Sequence, residues 1–148
     1  MDTAVTTEFG DGSYRFWLPL PQVFELERSC ADTSILAIEE KLRISIGQDD
    51  DGKTVFIGGG SASVKEIRET IRLGLIGGNC GMIDGDEVEI GPIRAKQLVE
   101  MYCYPARPLA ENAALAWLIL SSAIFGVRLK KKAEAAPMSD PNLSEKAS

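Results

Sequence analysis

Ser63-Val64-Lys65-Glu66-Ile67-Arg68-Glu69-Thr70-Ile71-Arg72-Leu73-Gly74-Leu75-Ile76-Gly77-Gly78 is the segment around which the chain organises itself. Ser63 with Glu66 three residues on is a capping box, in which a side chain and a backbone amide at a helix start satisfy each other reciprocally. Val64, Ile67, Ile71 and Leu75 then recur at helical spacing and form one apolar stripe. The pair Gly77-Gly78 is a stop signal. One amphipathic helix is therefore expected from Ser63 to Gly78, and its stripe needs partners on both sides in sequence.

Upstream, Gly10-Asp11-Gly12 is a turn between two short extended runs, Ala4 to Phe9 and Ser13 to Leu18, which together predict a small N-terminal hairpin. Pro19 and Pro21 end it and open a helix from about Pro21 to Cys30, with Val23, Phe24 and Leu26 inward and Glu25, Glu27 and Arg28 outward. Asp32, Thr33 and Ser34 are N-cap residues, and Ile35, Ile38 and Leu42 mark a second helix to about Ile44. Gly47 to Gly60 reads as a loop with a short strand at Val55-Phe56-Ile57.

Downstream, Asn79 to Gly91 is a second Gly- and Asp-rich connection with an extended piece at Val88-Glu89-Ile90. Pro92 opens a fourth helix whose inner face is Ala95, Leu98, Val99 and Tyr102. Pro105 and Pro108 close it, and a fifth helix is predicted from about Leu109 to Lys132, apolar on every side in its middle and cationic in its last turn. The expected fold is thus mainly α, about five helices with a small N-terminal β-hairpin (α+β), in a single domain. Residues 1–12 form an arm or first hairpin strand, 13–132 the helical domain, and 133–148, rich in Ala, Ser and Pro, a disordered tail.

Composition narrows the chemistry. The 148 residues carry 16 Lys+Arg against 22 Asp+Glu, a net charge of -6, and no histidine. Histidine-dependent acid-base catalysis and imidazole-ligated zinc are excluded at once. A deficit of clustered cations argues against nucleic acid as a partner. Cys30, Cys80 and Cys103 stand 50 and 23 residues apart with no C-x-x-C pair, which fits free thiols in a reducing cytoplasm. Asn112 to Val127 lacks charge for 16 residues, short of the ~18–20 that a membrane span requires. No secretory signal opens the chain, no cofactor or metal is expected, and the host cytoplasm is the predicted compartment.

Two motifs test this negative picture. Gly47-Gln48-Asp49-Asp50-Asp51-Gly52-Lys53-Thr54 matches G-x-x-x-x-G-K-[ST], the phosphate loop of nucleotide sites. Thr54 to Gly60 is β-branched and then glycine, so no helix dipole faces the cradle, and three aspartates oppose an anion; the segment reads as an acidic hairpin tip, with nucleotide binding the remote alternative. Asp84, Asp86, Glu87 and Glu89 suggest calcium, but the EF-hand positions that need oxygen ligands hold Val88 and Ala95, and the one that needs glycine holds Glu89. Phe16, Trp17, Phe24, Trp117 and Phe125 read first as core; Trp17, Phe24, Trp117, Leu118 and Phe125 are the candidates for protein-interaction anchors.

The order of elements carries a resemblance. Phe16-Trp17-Leu18-Pro19-Leu20-Pro21-Gln22-Val23-Phe24-Glu25-Leu26-Glu27 is similar to the strand-then-helix opening L-x-x-x-x-x-x-E-L-E of tailed-phage tail assembly chaperones. Ile67 to Gly78 resembles that family's central helix, and Pro108-Leu109-Ala110 through Ile124-Phe125-Gly126 resembles the closing helix of its gene-transfer-agent branch, also labelled a tail tube protein. The likeness spans about Tyr14 to Val127, and departs at the two longer connections, 47–60 and 79–92. It implies a non-catalytic assembly factor that binds the helical tape-measure protein and gives way to tail-tube subunits, with a structural tube component, present in the virion, as the alternative. Self-association through Trp117 to Phe125 is a further expectation. Lys130-Lys131-Lys132 fits the adenine-rich slip site with which related tail chaperones make a longer form.

The charge is unevenly placed: residues 1–107 hold 18 acids and 11 bases, and residues 108–148 hold 4 acids and 5 bases. An acidic body with an apolar, basic-ended last helix suits burial of another protein's apolar helices.

Overall fold

The computed structural model describes residues 2–127. The predicted tail, 133–148, and residues 128–132, which the sequence reads as the cationic last turn of the fifth helix, lie outside the described residues. In chain order the elements are β1 (Val5–Phe9), β2 (Gly12–Phe16), α1 (Leu20–Ser29), α2 (Ile35–Arg43), β3 (Ile46–Gln48), β4 (Thr54–Phe56), α3 (Val64–Gly78), β5 (Cys80–Ile83), β6 (Asp86–Val88), α4 (Pro92–Tyr102) and α5 (Leu109–Phe125).

The expectation of a mainly α fold with one small hairpin is corrected: the fold is a full α+β one, 49% helix and 20% strand, with a four-stranded and a two-stranded sheet. The N-terminal hairpin is half of a four-stranded antiparallel sheet of order β1-β2-β5-β6. The other half is the Asn79 to Gly91 connection, whose strands pair Gly81 with Val88 and Ile83 with Asp86. Its turn is Asp84-Gly85, both at positive φ, 52° and 86°. Asp-Gly between β-forming residues is the sequence signature of such a two-residue turn. The acidic composition of this stretch hides it. Gly47 to Gly60 likewise holds a two-stranded hairpin, with Gly47 opposite Val55.

Helix α3 is the centre of the molecule. Its capping box is formed: the Ser63 hydroxyl accepts from the Glu66 amide, 3.0 Å, and the Glu66 carboxylate accepts from the Ser63 amide, 2.8 Å. Ile67, Ile71 and Leu75 are buried as predicted, but Val64 at the first turn is exposed, and Leu73 and Gly74 are buried too, because α3 is enclosed on several sides. It packs against α1, α4, α5 and β2.

The helix ends on Gly77 and Gly78 as expected, and its cap is Asn79 in the left-handed conformation, φ 49°. Gly74, Gly77 and Gly78 lie on one face, and β2 crosses it. A Cβ on Gly78 would come within 1.8 Å of the Arg15 carbonyl oxygen, and one on Gly77 within 2.1 Å of the Trp17 carbonyl oxygen. The Trp17 amide donates to the Gly74 carbonyl, 3.0 Å. Strand and helix are thus in backbone contact, which any larger side chain forbids.

Helices α1 and α2 bury Leu26, Ile38 and Leu42, and α4 buries Ala95, Leu98 and Val99. Phe24, read as inward, is exposed. Helix α5 buries Ala113, Ala116, Ile119 and Leu120 and packs against α2, α3 and β4. It ends at Phe125, not Lys132, because Gly126 leaves helical geometry at φ 83° and Val127 turns back to donate to the Asp2 carbonyl, 2.7 Å.

The glycine face predicts a sharp contrast in stability. Gly78→Ala meets rigid backbone and should cost at least about 1–3 kcal/mol, the range of overpacked cores. Gly74→Ala meets only the side chains of Ile119 and Phe16, at 3.4 Å, and gains helix propensity, so it should stay within about 1 kcal/mol of wild type. Urea unfolding followed by far-UV circular dichroism distinguishes the two.

Candidate functional site

The five nominated side chains divide into an exposed group and an engaged group. Trp17 follows β2 and sits at the entrance to α1. Its indole N–H donates to the Thr3 hydroxyl, 2.9 Å, and the Arg15 guanidinium lies 5.1 Å above its ring. That leaves it half-buried with its polar atom satisfied. Phe24 is one turn further along α1, 61% exposed, and Leu20, four residues earlier on the same helix face, is 63% exposed. The sequence reading missed Leu20, although its spacing from Phe24 was visible.

Phe125 is 60% exposed at the end of α5. Two residues later Val127 pairs with Asp2, and Thr3 holds Trp17, so the C-terminal end of α5 is tied by the first residues of the chain to the β2–α1 junction. Trp17 and Phe125 therefore belong to one end of the molecule, with Phe24 and Leu20 on the helix that leaves it. Three exposed apolar side chains remain on these elements after the core has formed.

Trp117 and Leu118 do a different job. Trp117 is half-buried beside the β3–β4 hairpin, and its indole N–H donates to Glu39, 3.1 Å. Glu39 is 2% exposed and receives two further hydrogen bonds from the Arg43 guanidinium, at 2.9 and 2.7 Å. Arg43 first, and Trp117 after it, hold the Glu39 carboxyl below the usual carboxylate range against the opposing effect of burial. Leu118 is half-buried, and its carbonyl accepts from the hydroxyls of Ser121 and Ser122. Trp117 thus joins α5 to α2, whereas the hydrogen bonds to Leu118 stay within α5.

Several other ionisable groups are tied into the fold. Glu69 is held below its ordinary range chiefly by Arg72, at 2.8 and 2.7 Å. Glu66, besides capping α3, accepts from Lys41 at 2.7 Å. Burial pushes the Cys30 and Cys103 thiols up, Cys103 to about 11. Cys80 is raised by desolvation and then by the Glu87 carboxylate beside it. At neutral pH all three carry their protons and lack the thiolate that nucleophilic chemistry needs.

The phosphate-loop match lies at the tip of the β3–β4 hairpin, with a strand and not a helix after it. Its amides point inward onto the protein's own carboxylate: Asp49 Oδ1 accepts from the Asp51 and Lys53 amides, both at 2.9 Å. The acidic segment Asp84 to Glu89 surrounds the β5–β6 turn. Among the described residues no group of three or more Cys, Asp or Glu side chains is placed to hold a metal ion. No described helix is long and apolar enough to cross a membrane.

The Glu39 contacts carry a pH prediction. A carboxylate with a depressed folded pKa stabilises the protein above its unfolded pKa, and that contribution is lost as pH falls through the folded pKa. Glu39→Gln should therefore unfold at lower urea concentration than wild type at pH 7, by about 1–2 kcal/mol for the weakened bonds to Arg43 and Trp117. The gap should narrow as the wild type is acidified below the usual carboxylate range; a gap independent of pH would contradict this role. No family model, no curated protein and no solved structure matches this chain.

Proposed function

We propose that the chain is a non-catalytic assembly factor of a phage or gene-transfer-agent-like tail, a chaperone that covers the tape-measure protein in the host cytoplasm until tail-tube subunits replace it. One observation carries this reading beside the resemblance. Phe24 and Phe125, which come from the two segments similar to that family's opening and closing helices, stand in solvent while the helices that bear them bury their other faces. A phenylalanine left in water adds little to its own fold, and covering it with a partner gains about 1.5–3 kcal/mol. An apolar helix of the partner is the natural complement of such side chains. The net charge of -6 favours keeping free copies dispersed between binding events.

Co-expression with the tape-measure protein of the same gene cluster tests the proposal. The soluble fraction of that partner should rise several-fold, and Phe24→Ala combined with Phe125→Ala should abolish the rise while leaving the unfolding midpoint of the chain within about 0.5 kcal/mol of wild type, as expected of exposed positions. An unchanged partner would defeat the reading. Mass spectrometry of purified particles separates it from the tube alternative, since a chaperone is absent from them and a tube subunit abundant.

A further inference from the structure

The end of the molecule that carries Trp17, Phe24 and Phe125 also carries its densest positive charge. Residues 1–127 hold 19 acids and 11 bases, whereas Arg128, Lys130, Lys131 and Lys132 put four cations and no acid into the next five residues. At no more than ~3.6 Å per residue these cations stay within about 18 Å of Val127. Val127 itself is held beside Asp2, two residues after the exposed Phe125. The acids before β1 and on α1 already have partners: Asp2 Oδ1 accepts from the Ala4 amide, 3.1 Å, Glu25 from the Arg28 guanidinium, 3.1 Å, and Glu27 from the Ile35 amide, 3.0 Å. Arg15 adds a cation above the Trp17 ring.

We infer that this end receives an amphipathic partner helix whose apolar face is flanked by acidic residues, with Leu20, Phe24 and Phe125 against the apolar face and the cations of 128–132 within reach of the carboxylates. The inference rests on the reading above that Phe24 and Phe125 receive a helix of the tape-measure protein, and it adds which kind of helix that is. Charge complementarity selects the occupant: apolar contacts hold the helix, and the sign of its flanks decides between helices of equal apolarity. A helix with basic flanks meets four like charges. A second copy of this chain docked end to end would set its own cations against these. An anionic membrane also attracts cations, but a flat surface faces the whole end, including Asp2 and the Glu25 carboxylate, whose side chain is 40% exposed, with an acidic body behind them; a helix covers only a strip.

Fluorescence anisotropy of two labelled synthetic helices of about 20 residues, long enough to form alone, tests this on the full chain. Both have the same leucine face; one has glutamates on its flanks and the other lysines. The glutamate helix should bind about tenfold or more tighter at low salt, as several exposed charge pairs change sign between the two. The difference should vanish towards about 1 M salt, where screening acts over ~3 Å. Replacing Lys130, Lys131 and Lys132 together by serine should remove most of the preference and leave the leucine-dependent binding, whereas Phe24→Ala with Phe125→Ala should abolish binding of both helices. Equal affinities, a preference for the lysine helix, or a preference that survives the serine variant overturns the inference. So does sedimentation of the chain with phosphatidylserine vesicles while neither helix binds, which would assign the cations to a membrane surface. If the preference for glutamate fails and co-expression still solubilises the tape-measure protein, this inference falls and the chaperone reading stands; if the preference holds and co-expression changes nothing, the acidic helix belongs to another partner and the chaperone reading falls.

Discussion

The contact between β2 and the glycine face of α3 is the constraint on which the other packing depends. A strand usually meets a helix through interdigitated side chains, with backbones about 10 Å apart. Here carbonyl oxygens of Arg15 and Trp17 lie where a Cβ of Gly78 or Gly77 would be, and the Trp17 amide donates to the α3 backbone at Gly74. That approach fixes the height of the sheet on the helix. It also sets where β5, which begins two residues after α3 ends, meets β2: Arg15 beside Cys80 and Ser13 beside Met82. The second hairpin is carried into the sheet by the end of the helix itself.

The helical part of this architecture was legible because its signals are local. The Ser63/Glu66 box, the Pro92 start and the 3.6-residue spacing on α2, α3 and α4 each report on a few adjacent residues. The sheet was not, because its extent depends on pairing between residues more than 60 positions apart, Arg15 with Cys80, and because Asp86-Glu87 satisfy no strand propensity of their own. Asp84-Gly85 was the one local signal for the second hairpin, and it stood inside an acidic run that reads as loop. Gly77-Gly78 shows how one residue type carries two meanings: as punctuation it ends a helix, and as an absence of side chain it admits a strand.

The candidate site was legible in part. Size and placement single out Trp17, Phe24, Trp117, Leu118 and Phe125, but these criteria do not separate a side chain facing water from one spent on a buried carboxylate. Glu39 decides the matter for Trp117. A glutamate on the apolar side of α2 has no periodicity signature, yet once buried it needs the Arg43 fork and an indole N–H, and it takes both. Val23 and Leu26 make Phe24 read as inward, but a helix of ten residues packed mainly against α3 has room to bury only one stripe. Leu20 and Phe24 are what that stripe leaves out.

The strand pairing has a consequence for how the chain is made. β2 receives its second neighbour from residues 80–83, so during synthesis the N-terminal hairpin emerges with the inner edge of β2 bare and stays so until α1, α2, the β3–β4 hairpin and α3 have all left the ribosome. Long-range strand pairing closes slowly and leaves such edges open to wrong neighbours in the meantime. The glycine face shortens that interval: once α3 has formed, its C-terminal end can seat β2 by backbone contact, and the strand that completes the sheet is the next piece of chain to be translated.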